Sequence, residues 1–73
     1  MGNSLSIWTI YENPKDYPGI YVARRWEVSA TPVATSDLLT GASLEDVRAQ
    51  LPPGLMRMPA NAEDDQSVVE SWL

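Results

Sequence analysis

The chain has 73 residues and a formal net charge of −5, and it contains neither cysteine nor histidine. A chain of this length forms a single domain, residues 1–73, and buries only about 60% of the surface that its unfolded state exposes. Without cysteine and histidine it lacks disulfides, thiolate nucleophiles, the usual general base and the common zinc ligands. We therefore expect no cofactor, no metal site and no enzymatic activity.

The composition indicates a folded protein outside the membrane. Apolar residues make up 44% of the chain and three of them are tryptophans, which argues against disorder. No run of 18 apolar residues is present, and the N-terminal segment lacks the pattern of a secretory signal. The absence of cysteine also fits a reducing compartment, so we expect a cytoplasmic protein.

The charge is unevenly distributed along the chain. Residues 1–36 are neutral overall, whereas residues 37–73 carry the whole net charge of −5. Such a field repels nucleic acid and anionic membranes and attracts basic protein surfaces. The predicted partner-binding residues are Glu45, Asp46, Glu63, Asp64, Asp65 and Glu70. The alternative reading is that these charges only keep the domain soluble.

Two strands are predicted in the first half of the chain from β-branched and aromatic residues. Ser6–Tyr11 is apolar on both sides, which is typical of a central strand. Ile20–Val28 is the second strand, and its apolar side consists of Ile20, Val22, Trp26 and Val28. We expect Trp8 or Trp26 to belong to the core and not to a binding face, and we favour a core position for both.

Between these strands, residues 12–19 form a proline-rich loop in which Pro18-Gly19 suits a type II turn. The Tyr17-Pro18 bond is compatible with either the cis or the trans isomer. Arg24 falls on the apolar side of the second strand. Either a bulge at Arg24-Arg25 turns it outward, or its stem is buried and its guanidinium meets an acidic partner. A structural role is favoured over contact with a ligand.

The second half begins with an edge strand and a helix. Pro32 places the start of the third strand at a sheet edge, and Val33, Leu38 and Leu39 supply its apolar residues. The helix is predicted at Ser43–Leu51, with Ser43 as its N-cap and Pro52-Pro53-Gly54 as its stop. Its apolar stripe consists of Leu44, Val47 and Leu51.

The C-terminal part is predicted to hold two more short segments. Leu55–Met58 is a fourth strand in which Met56 and Met58 fill the core, and an acidic loop, residues 59–66, follows it. Ser67–Leu73 fits a strand or a helix, and the β-branched pair favours a strand. In that strand Val68 and Trp72 face one way with Glu70 between them.

Four motifs, which together span nearly the whole chain, resemble a group of small uncharacterised acidic proteins of proteobacteria and their mobile elements. They are Ile7–Tyr11 running into Asn13–Pro18, Val22–Trp26, Leu44–Arg48 running into Leu51–Leu55, and Asp64-Asp65 with Val68–Leu73. This resemblance implies a bacterial host cytoplasm and brings no established activity or catalytic residue. In size and acidity, though not by motif, the chain is also similar to phage anti-CRISPR proteins.

The sequence therefore predicts an α+β fold, an antiparallel sheet of four or five strands with the Ser43–Leu51 helix packed on one face. The predicted function is a non-enzymatic protein-interaction module. Its sharpest form is an anti-CRISPR-like inhibitor whose acidic half occupies a basic, nucleic-acid-binding surface of a host CRISPR effector complex. The alternative is a small structural or regulatory domain that forms homodimers through an exposed strand edge.

Overall fold

The computed structural model describes residues 5–60 and 67–73. Within them the chain forms β1 (Leu5–Glu12), β2 (Tyr21–Val28), β3 (Pro32–Gly41), α1 (Leu44–Gln50), β4 (Arg57–Pro59) and β5 (Val68–Trp72). The strands make one antiparallel sheet in the order β3-β2-β1-β5-β4. The predicted α+β fold is confirmed, and so is the central position of the first strand.

The core lies between α1 and one face of the sheet, which we call the helix face. Val47 of α1 is fully buried against Trp8, Ile10 and Ala23. The other two positions of the predicted stripe, Leu44 and Leu51, are partly buried and pack against the same cluster. The single helical stripe therefore packs as the sequence predicts.

Both ends of α1 and its approach to the sheet have a local cause. The Oγ atom of Ser43 accepts a hydrogen bond from the backbone N–H of Asp46 at 3.2 Å, and Leu51 is the C-cap. Gly41 precedes the helix at a close approach, because a Cβ atom there would lie 2.9 Å from both Asp46 Cβ and Val47 Cγ2. The absence of a side chain at this glycine lets the helix sit directly on the sheet.

The opposite face of the sheet, which we call the open face, carries the apolar side of β2. The pairing of β1 with β2 sets Trp8 opposite Arg25 and Ile7 opposite Trp26. Directly paired residues point to the same face, so Trp26 points away from α1. Trp8 is in the core as predicted, but the prediction of a core position for Trp26 is wrong.

The loop between β1 and β2 covers one end of the open face. Asn13 has a left-handed backbone (φ 51°), and its Oδ1 accepts a hydrogen bond from the N–H of Gly19 at 2.7 Å. Gly19 itself has φ 84°, as the second central residue of a type II turn requires, and the Tyr17-Pro18 bond is trans. Val22 borders a small hollow beneath this loop and is buried.

The predicted irregularity near Arg24-Arg25 exists, but its extra residues belong to β3. Arg24 pairs with Leu38 and Trp26 pairs with Ala34, so three residues of β3 lie opposite Arg25 alone. Because β2 keeps its alternation, Arg24 stays on the open face instead of turning away from it.

The C-terminal strands depart from the prediction in two ways. Met56 and Met58 are 71% and 47% exposed, so neither fills the core. The strand is Arg57–Pro59, so Met56 precedes it, and Met58 pairs with Ser71 on the open face. The last segment is a strand, as favoured, but its pairing with β1 shifts between Ile10 and Tyr11. This bulge places Val68 on the open face and Trp72 on the helix face, so they do not share a face as predicted.

Candidate functional site

The open face contains a groove of about 510 Å³ beside Trp26. Its lining residues, which define the Trp26 groove, are Ile7, Thr9, Tyr11, Trp26, Val28, Pro32, Val68 and Ser71. Antiparallel pairing of three adjacent strands brings most of these side chains to one face. The groove is therefore a shallow apolar surface with a few hydroxyl groups.

Arg24 lies on the open face next to this groove. It pairs with Thr9 across β1 and precedes Trp26 by two residues, so both lie on the same side of β2. Its side chain also borders a smaller hollow of about 100 Å³, together with Asp16 and Tyr17 of the loop. Tyr11 lines both the hollow and the groove, which makes them one continuous surface.

The neighbouring Arg25 lies on the helix face and is fully engaged. Its Nε donates to Asp37 Oδ2 at 2.6 Å, and its Nη1 contacts Glu27 Oε1 at 2.9 Å and Ser6 Oγ at 3.3 Å. The hydrogen-bonded carboxylates of Glu27 and Asp37 raise the pKa of Arg25. The sequence favours a structural role for Arg24, but the arginine that forms these ion pairs is its neighbour Arg25.

Of the six predicted partner-binding residues, the three that the structure describes, Glu45, Asp46 and Glu70, do not form one exposed surface. Glu45 and Asp46 are exposed in the first turn of α1. Glu63, Asp64 and Asp65 lie outside the described residues. Glu70 is only 2% exposed, so it offers no surface charge to a partner and we remove it from the set.

Glu70 instead forms a buried ion cluster beneath α1. Arg48 approaches both of its carboxylate oxygens, Trp72 Nε1 donates to Oε2 at 2.7 Å, and Arg57 Nη1 lies 3.8 Å from Oε1. The hydrogen bonds from Arg48 lower the pKa of Glu70 against the opposing effect of burial, and Trp72 lowers it further. The alternation of β5 places this carboxylate on the helix face opposite Ile10.

The described residues provide neither a metal site nor a membrane-spanning helix. Within residues 5–60 and 67–73, no group of three or more carboxylates is placed to hold a metal ion. The one helix of that part of the chain, with seven residues, is too short to cross a membrane.

Comparisons with protein-family models, with curated proteins and with solved structures give no match for this chain. The assignment of a function therefore depends on the geometry of the groove and on the sequence.

The sequence does contain a signal for the groove, in the number of apolar strand faces. Both sides of the first strand are apolar, and so is one side of the second. In the part of the chain that the structure describes, one short helix covers one face of a five-stranded sheet, and no second helix covers the other. Counting apolar strand faces against available helices would have identified it.

Proposed function

We propose that this protein is a non-enzymatic protein-interaction module that binds its partner through the Trp26 groove. The observation that supports this is the orientation of the apolar side of β2, which lines a groove of about 510 Å³ on the face of the sheet opposite α1. Contiguous exposed apolar surface on a small domain is a general feature of interaction sites. Tryptophan and tyrosine beside it are typical of residues that contribute most to binding energy.

The strand edges give less support to the alternative of self-association. The outer strand β3 begins at Pro32 and is bulged opposite Arg25. At the other side of the sheet, β4 has three residues and ends at Pro59. Prolines, bulges and short edge strands all disfavour pairing between sheet edges.

The competing form of the proposal is an anti-CRISPR-like inhibitor in the bacterial cytoplasm whose acidic half, and not the groove, occupies a basic surface. Glu45 and Asp46 support it, because both are exposed and neighbouring in α1. They lie on the opposite side of the sheet from the Trp26 groove. The two surfaces can therefore be tested separately.

The test compares variants on the two sides of the sheet in affinity purification from bacterial extract. Thr9→Lys places a cation in the groove, and Ser36→Lys makes the same charge change at an exposed position outside it. Glu45→Lys with Asp46→Lys reverses the exposed acidic pair. Circular dichroism melting of each variant confirms that it is folded.

We expect wild type, Ser36→Lys and the acidic double variant to capture the same partner, and Thr9→Lys to lose it. Capture that survives Thr9→Lys but not the acidic double variant would replace the groove with the acidic surface. A partner retained by every variant would contradict both forms of the proposal.

A further inference from the structure

Arg24 is the one charged side chain that strand pairing places on the open face among the described residues. Its paired neighbours are Thr9 of β1 and Leu38 of β3, and the residues two positions away along β2 are Val22 and Trp26. The Arg24 side chain forms no hydrogen bond or ion pair with any residue in 5–60 or 67–73. Asp16 borders the same hollow as Arg24, but the two side chains do not form an ion pair.

The next residue, Arg25, differs from Arg24 in its partners. Arg25 binds two carboxylates and a hydroxyl on the helix face. Arg24 is half-buried on apolar strand surface, and no carboxylate among the described residues pairs with it. A guanidinium in such a place forms strong, often bidentate hydrogen bonds to a carboxylate when one is supplied.

Resting on the proposed function, we infer that the occupant of the Trp26 groove is an extended polypeptide segment with an apolar side chain and a carboxylate two residues apart. Arg24 and Trp26 are two residues apart on one strand, about 7 Å. Side chains two apart in an extended peptide share one side and have the same spacing. The apolar side chain would contact Trp26 while the Asp or Glu pairs with Arg24.

Other occupants match this surface less well. In a second copy of the chain, no carboxylate occupies a paired strand position on the open face within the described residues, so two open faces would not satisfy Arg24. Two copies would also each bring a net charge of −5. The same charge repels anionic lipid surfaces.

The test is selection of a phage-displayed random heptapeptide library on three immobilised proteins. They are wild type, Arg24→Glu, and Lys15→Glu as a control that makes the same charge change at an exposed loop position. We expect wild type and the control to enrich Asp or Glu two positions from an aromatic or aliphatic residue. Arg24→Glu should lose this preference and bind the selected peptides roughly tenfold or more weakly, the effect of about 1.4 kcal/mol.

A synthesised peptide from the selection is then titrated into labelled protein and followed by the indole N–H signals in NMR. Trp26 should shift, whereas Trp8 and Trp72 on the helix face are internal controls that should not. If apolar peptides shift the indole N–H signal of Trp26 equally in wild type and Arg24→Glu, the groove remains the binding site but the carboxylate inference is overturned. A different outcome is that the library yields no binding peptide and that analytical ultracentrifugation shows a dimer, which Thr9→Lys dissociates. That outcome would overturn both the peptide-binding groove and the carboxylate inference, and the occupant would be a second copy of the chain.

Discussion

Arg48 of α1 and Glu70 of β5 form a bidentate ion pair, in which Arg48 Nε lies 2.8 Å from Oε2 and Nη2 lies 2.5 Å from Oε1. The carboxylate is 2% exposed, whereas the Arg48 side chain is 37% exposed. The pair joins the helix to a strand far from it in sequence. Its asymmetric burial means that losing the arginine and losing the carboxylate have different consequences.

The first prediction concerns the loss of the arginine. Arg48→Met leaves a buried carboxylate with only Trp72 and the more distant Arg57, and we expect a cost of about 3 kcal/mol in unfolding free energy. Adding Glu70→Gln to this variant should restore part of the loss, because the amide can still accept from Trp72 and no charge is left buried. Urea denaturation measures the unfolding free energy of wild type, Arg48→Met and the double variant. A double variant less stable than Arg48→Met would contradict this account.

The second prediction concerns pH. The pKa of Glu70 is lower in the folded state, chiefly because Arg48 hydrogen-bonds its ionised form. Its contribution is therefore present above the unfolded carboxylate pKa of about 4.3 and is lost as the pH falls through the lower folded value. Melting temperatures between pH 7 and pH 3 should fall less steeply for Glu70→Gln than for wild type. Glu45→Gln, which removes an exposed carboxylate, is the control and should not have this effect.

The fold could be predicted from local patterns because each element has its own signal. Ser43 and the proline pair set the ends of the helix, and β-branched residues indicate the strands. The faces of the strands could not be predicted, since alternation does not tell which side meets the helix. The register shift between β1 and β5 moves the Val68 side chain to the open face, and the extra residues opposite Arg25 belong to β3 instead of β2. The groove depends on these pairings between strands that are distant in sequence, so local patterns could not predict it.

The third prediction concerns the close approach of the helix. Gly41→Ala would bring a Cβ atom within 2.9 Å of Val47 Cγ2, so the helix must shift from the sheet. We expect a loss of about 1–3 kcal/mol, as in overpacked cores. Thr40→Ala, at the exposed neighbouring position, should change stability by no more than about 0.5 kcal/mol. Equal stabilities of the two variants in thermal melting would show that α1 does not lie this close.

The fourth prediction separates the tryptophans of the two faces. Trp8→Ala removes a core side chain and should cost about 3–5 kcal/mol, enough to unfold much of so small a domain. Trp26→Ala should cost clearly less, because the groove already exposes part of its ring. Thermal melting followed by circular dichroism compares the two. A Trp26→Ala protein as unstable as Trp8→Ala would place Trp26 in the folding core and weaken the case for a binding role.

The last prediction separates the groove from the acidic half by salt dependence, using a captured partner in titrations at two salt concentrations. Salt screens exposed charges over about 10 Å at 0.1 M, so a contact made by many surface carboxylates weakens steeply with salt. A groove contact in which Arg24 supplies the single ion pair should show a shallow slope. Reversal of Glu63, Asp64 and Asp65 to lysine should then change the affinity little, while Thr9→Lys abolishes binding. A sharp loss on the triple reversal, with a flattened salt slope, would instead assign the contact to the acidic half.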